Sequence, residues 1–190
     1  MLSMRDVVAG LLGAYRLACL DRGGLRYFDA SPEGFWRSLY GAATIVALPH
    51  ALLLSIRFAV DPDPPDPLLY AGVNAIAYVV AWTIFPLVMF YLSRLIDRRG
   101  QLLRYIVAYN WAAVLQNGVY LPVAIAEQIG LLPAEPAQFL LLLALLGVMA
   151  YSCVVAHLAL EVPLFTAIGI VILDLMLGIF VQVWTDRLLQ

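Results

Sequence analysis

Asp174 stands alone in an otherwise apolar run, Val171-Ile172-Leu173-Asp174-Leu175-Met176-Leu177. An acid at that depth in a bilayer is a functional hypothesis by default, because hydrocarbon does not solvate its charge. Counting along each run at about 1.5 Å per residue puts His50 near the middle of a second apolar stretch. The same count puts Gln116 and Asn117 near the middle of a third. Helices that faced one another would gather these four residues into a mid-membrane polar cluster. An Asp/His pair supported by an amide can change protonation along a translocation path. The same side chains can also fasten helices without moving anything. On that reading Asp174 is protonated or hydrogen-bonded to Asn117 or Tyr151. The fastening role is preferred, since no other transport feature accompanies the residues. Pro49 beside His50 reads as a kink.

A second polar group comprises Arg104, His157 and Glu161. His157 and Glu161 are four apart, so on a helix they share a face. Two ligands are too few for zinc, and an ion pair of Glu161 with Arg104 at a membrane edge is the simpler reading. The sequence contains no HExxH, no Gly-x-Ser-x-Gly and no phosphate-cradling loop. Neither an enzyme nor a cofactor is therefore expected. Cys19 and Cys153 have neither the number nor the spacing of a disulfide framework or a metal site.

The elements that must position these residues are membrane spans. Of the 190 residues, 64% are hydrophobic, and the mean hydropathy of +0.91 excludes an ordinary soluble domain. Five apolar stretches are each about 20 residues or longer, enough to cross a bilayer. They cover residues 39–59, 68–92, 105–126, 139–160 and 164–184. The expected fold is all-α: a polytopic transmembrane bundle, with residues 1–38 as a separate segment and 39–190 as the membrane domain. Small-residue pairs, Ala71 with Ala75 and Ala77 with Ala81, suit close helix approach within the bundle. There is no internal repeat.

Charge sets the orientation. All eleven basic residues are arginine, a usage that with the abundant Ala, Leu and Gly suggests a bacterial source. Arg5, Arg16, Arg22, Arg26 and Arg37 precede the first span, and Arg94, Arg98, Arg99 and Arg104 lie between the second and third. The opposite side carries Asp61-Pro62-Asp63-Pro64-Pro65-Asp66. The positive-inside rule then places the N-terminus in the cytoplasm and, with five spans, the C-terminus outside. Arg57 is the exception, placed to snorkel outward. The expected location is a bacterial inner membrane.

Residues 4–20 read as an amphipathic helix with an apolar stripe of Met4, Val7, Val8, Leu11, Leu12, Tyr15 and Ala18. It suits the headgroup region, with arginines toward anionic lipid; packing beneath the bundle is the other reading. Leu17-Ala18-Cys19 looks like a lipoprotein cleavage site, but Arg16 breaks the apolar run that such a signal requires. Ser31-Pro32-Glu33 starts the next helix with a capping serine, an N1 proline and a first-turn acid. Phe35, Trp36 and Tyr40 follow at the level of an aromatic belt.

Two stretches, Ser31-Pro32-Glu33-Gly34-Phe35-Trp36-Arg37 and Gly100-Gln101-Leu102-Leu103-Arg104 with Ala108-Tyr109, sit in a layout that resembles the Yip (Ypt-interacting protein) family. That family combines a cytoplasmic N-terminal segment, five spans and short late loops. The resemblance implies a role in trafficking or membrane organisation, without a Rab-type GTPase partner in bacteria. The expectation is a non-enzymatic protein that organises membrane through a basic face. Its partners would be anionic lipid, another copy or another membrane protein, and not nucleic acid. A small transporter using His50, Asn117 and Asp174 is the alternative.

Overall fold

The computed structural model describes residues 2–189, and all secondary structure among them is helical. α1 (Met4–Ala18) and a 3-10 helix (Arg22–Tyr27) precede α2 (Pro32–Val60) and α3 (Pro67–Leu95). A second 3-10 turn (Arg99–Gln101) leads into α4 (Leu102–Gln128), followed by α5 (Ala134–Leu160) and α6 (Leu164–Leu188). Helix starts follow the capping chemistry. Ser3 Oγ accepts the Asp6 amide while the Asp6 carboxylate accepts the Ser3 amide, closing a capping box. Ser31 Oγ accepts the Gly34 amide ahead of Pro32, and Asp66 accepts the amides of Leu68 and Leu69 around Pro67. Each cap satisfies amides that have no partner inside the helix.

α2, α3, α5 and α6 are long and apolar enough to cross a membrane. The chain is a multi-pass membrane protein. The helices overrun the apolar stretches read from sequence: α2 and α3 each hold 29 residues, about 44 Å at 1.5 Å per residue. A hydrocarbon core is only about 30 Å thick, so their ends reach into headgroup depth. α2 runs unbroken past residue 38, from Pro32 onward.

α4 is as long as α5, at 27 residues, yet less apolar. Packing explains why. α4 is flanked by α2 and α5 and crossed by α1, while α6 packs on α5 and α3. Tyr105, Ile106, Val107, Ala108, Trp111 and Ala112 of α4 are buried in the main core with Phe85, Met89, Val155 and Leu160. Helix faces covered by protein need less apolar surface than faces turned to lipid.

α1 docks on this core along a face that follows the apolar stripe only in part, since Val7 and Leu11 pack on the core. Met4, Val8, Leu12 and Tyr15 are exposed, while Gly10, Gly13, Ala14 and Leu17 are buried. Small residues decide the contact, because only glycine lets the backbone come this close. A Cβ on Gly10 would lie 2.3 Å from the Trp111 ring, and one on Gly13 would lie 2.9 Å from the Gly24 carbonyl oxygen. Tyr151 Oη donates to the Ala14 carbonyl at 2.7 Å and ties α1 to α5. α1 therefore lies against the bundle, with its remaining apolar face turned outward.

Candidate functional site

The four polar residues expected at mid-membrane do not gather in one place; no hydrogen bond joins any two of them. Asp174 meets Tyr109 of α4, whose hydroxyl donates to both carboxylate oxygens, at 3.0 and 3.1 Å. The Tyr109 ring lies 4.6 Å from that of Phe85 on α3, so α3, α4 and α6 meet here. Neither Asn117 nor Tyr151, the partners expected from sequence, serves Asp174. Asn117 donates to the carbonyl of Ala113, one turn back on its own helix, and Tyr151 is used by α1. Gln116 donates to Ser152 on α5 at 2.9 Å. His50 packs against the Tyr78 ring at 5.1 Å, on the far side of α2. Equal depth did not mean equal direction, because each helix's rotation about its axis aims its polar group at a different neighbour.

Sequence reasoning passed over Asn110. It is fully buried, its Nδ2 donates to Ser38 Oγ at 3.0 Å, and its Oδ1 has no partner. The bond joins α4 to α2. Asn110 follows Tyr109 directly, and the polar pair Tyr109-Asn110 within an apolar run was the available signal.

The second polar group is assembled at the arginine-rich end. Arg104 donates to Glu161 Oε1 at 2.8 Å and, through Nε and a terminal nitrogen, to the Ala159 carbonyl at 2.9 and 2.7 Å. Those bonds satisfy an orphan carbonyl at the C-terminus of α5, where a cation is favoured. The Arg104 hydrogen bond holds the Glu161 carboxyl below its usual range. Glu161 itself closes α5 in a left-handed conformation, φ 56°, and the chain turns through Val162 and Pro163 into α6. His157 Nδ1 sits 2.6 Å from the Val162 carbonyl oxygen and so clasps the same turn.

Two sequence-distant arginines join this corner. Arg22, from the 3-10 helix after α1, and Arg98, from the α3–α4 connection, line one cleft of about 400 Å³ with His157, Glu161 and Pro163. Arg98 Nε also donates to the Glu161 carbonyl at 3.3 Å. Arg5, Arg26, Arg94 and Arg99 are exposed at residue level. Other arginines are committed within the fold. Arg16 pairs with Asp21 at 2.6 Å and donates to the Tyr27 hydroxyl, while Arg37 pairs with Asp29 and lies 3.7 Å from Asp6. Local hydrogen bonds, from Ser3 to Asp6, from Gly23 to Asp21 and from Ser31 to Asp29, hold these three carboxyls below their usual range, with the arginines adding to the effect. The arginine-rich end is thus a latched segment with the guanidinium groups of Arg22 and Arg98 around a small cleft.

No protein-family model, curated protein or solved structure matches this chain.

Proposed function

We propose that the chain is a non-enzymatic, five-span protein of a bacterial inner membrane. In this reading it has a Yip-like layout and organises anionic lipid, or a membrane-protein partner, at an arginine-rich cytoplasmic face. α4 serves as the fifth span, its polar groups covered by α2, α5 and α1. The positive-inside rule then puts the arginine-rich end in the cytoplasm. One observation carries the functional part: Arg22 and Arg98 line the same cleft, which supports a single basic surface made from the N-terminal segment and the α3–α4 connection. Basic pockets of this kind at a cytoplasmic membrane edge suit phospholipid headgroups. A transporter reading needs His50, Asn117 and Asp174 around a shared path, and each of the three has its own separate partner.

The test is lipid selectivity of the full chain in nanodiscs, read with spin-labelled phosphatidylglycerol and phosphatidylcholine. Phosphatidylglycerol is expected to be enriched at the protein surface. Each arginine near an anionic surface contributes about 1 kcal/mol, so Arg22→Gln with Arg98→Gln removes most of that enrichment. Equal partition of the two lipids around the unaltered protein would sink the proposal.

A further inference from the structure

The opposite, acidic end carries a built cleft that the basic-surface reading does not use. α2 and α3 are joined by the loop over 61–66, yet they hardly pack on each other. Two tyrosines on one face of α3 bridge them. Tyr70 Oη donates to the Leu54 carbonyl at 3.1 Å and Tyr78 Oη to the Ala43 carbonyl at 2.6 Å. Between these struts the walls are Ala47 and Ala51 on α2 and Ala71 and Ala75 on α3, too small to fill the space. The small-residue pair Ala71 and Ala75, expected to bring helices together, instead lines a cavity of about 560 Å³. That size falls within the range of ligand pockets.

The polar groups of this cleft are largely spent on backbone. Asn74 Nδ2 donates to the Tyr70 carbonyl and Ser55 Oγ to the Ala51 carbonyl, which leaves mainly apolar walls. From Phe58 to Ala47 the cleft follows eleven residues of α2, about 17 Å at 1.5 Å per residue. One leaflet is half of a hydrocarbon core of about 30 Å. The cleft is therefore one acyl chain long. Its outer end runs into a polar vestibule of about 500 Å³, and Leu54, Tyr70 and Asn74 line both spaces. Arg57 stands in that vestibule with Asp61, Asp63 and Asp186, and it makes no salt bridge among the described residues.

We infer that the α2–α3 cleft and its vestibule hold one amine-bearing phospholipid from the leaflet at the acidic end. An acyl chain lies between the tyrosine struts, Arg57 meets the phosphate, and Asp61, Asp63 and Asp186 meet the ammonium group. Length, apolar walls and a vestibule presenting both signs of charge select this occupant over an apolar helix of another protein, which has no headgroup to offer. The assignment holds whichever face the arginine-rich end takes, so it stands apart from the basic-surface proposal.

The experiment uses the full chain in nanodiscs with phosphatidylethanolamine carrying a diazirine in its acyl chain, and cross-links are mapped by mass spectrometry. Labels are expected on cleft residues such as Ala47, Ala51 and Ala75 at least tenfold above the outward-facing Leu87 and Phe180. Ala75→Phe fills the cleft and is expected to cut cleft labelling about tenfold. Arg57→Gln leaves the cavity intact and is expected to cut it about fivefold, the worth of one arginine at an anionic group. If Ala75→Phe does not fold, Ala51→Phe on the facing wall and Arg57→Gln carry the same test. Labels spread evenly over all outward faces, or cleft labelling that survives a filled cleft, overturn the inference. A phosphatidylglycerol probe that labels the cleft as well as phosphatidylethanolamine overturns the ammonium assignment.

Discussion

Gly10→Ala separates a helix docked on the bundle from one lying alone on the membrane, because the two situations give opposite signs. On an isolated helix, replacing a mid-helix glycine by alanine stabilises by about 1 kcal/mol. Here the new methyl would sit 2.3 Å from two atoms of the Trp111 ring. Trp111 is 3% exposed, and a Cβ built on Gly41 would already touch its ring at 3.4 Å, so the ring has little room to yield. Ordinary carbon contacts begin at about 3.5 Å, and α1 must therefore retreat by about 1.2 Å. That displacement stretches the 2.7 Å Tyr151–Ala14 bond beyond hydrogen-bond range and loosens Ala14 and Leu17, both fully buried. Overpacking of this kind costs about 1–3 kcal/mol and the lost bond about 1 kcal/mol. Against the gain in helix propensity, the net is about 1–3 kcal/mol against docking, a factor of about 5–150. Hydrogen exchange of residues 4–18 in detergent or nanodiscs reads it directly. Faster exchange in α1, with α4 to α6 little changed, is the expected result. Slower exchange or a raised Tm would refute the docked geometry and return α1 to the lipid surface.

Two further outcomes test the interior and the latch. Tyr109→Phe removes the only side-chain hydrogen bond of Asp174 among the described residues and is expected to destabilise the bundle by about 1–3 kcal/mol. Adding Asp174→Leu should recover much of that loss in thermal melts, and simple additivity of the two changes would refute the pairing. Asp6, Asp21 and Asp29 have carboxyls held below 3.8, so their contribution is complete at neutral pH and fades as pH falls through their folded-state values. Acidification below about 4 should raise hydrogen exchange over residues 3–37 before it affects α5 and α6; simultaneous loosening of both would refute the assignment.

The long helices were legible because apolar runs and capping residues act locally. Ser31-Pro32 marks the start of a helix that the structure reproduces. The Arg104–Glu161 pair was legible as well, since both residues sit at span ends on the same side and need only meet. What escaped depends on rotation and spacing. Asp174 chose Tyr109 because of how α4 and α6 are turned, which no count along either helix specifies. α1 docked through Gly10 and Gly13 beside only part of its apolar stripe, Val7 and Leu11, and hydropathy assigns glycine almost no weight. The α2–α3 cleft was invisible for a related reason: alanines close a gap or line one, depending on where the neighbouring tyrosines prop the helices.

The position of α4 bears on how the chain is made. Much of its surface faces the rest of the protein: Ser38 of α2 answers its Asn110, Ser152 of α5 answers its Gln116, and α1 covers its Trp111. During synthesis α1 and α2 precede it, but α5 emerges only afterwards. A nascent chain that has completed α4 can already make the Ser38–Asn110 bond, while Gln116 still awaits Ser152. The order of the helices makes the arrival of α5 and α6 the step that completes the cover of α4, so a chain cut after residue 128 leaves Gln116 and Tyr109 without their partners.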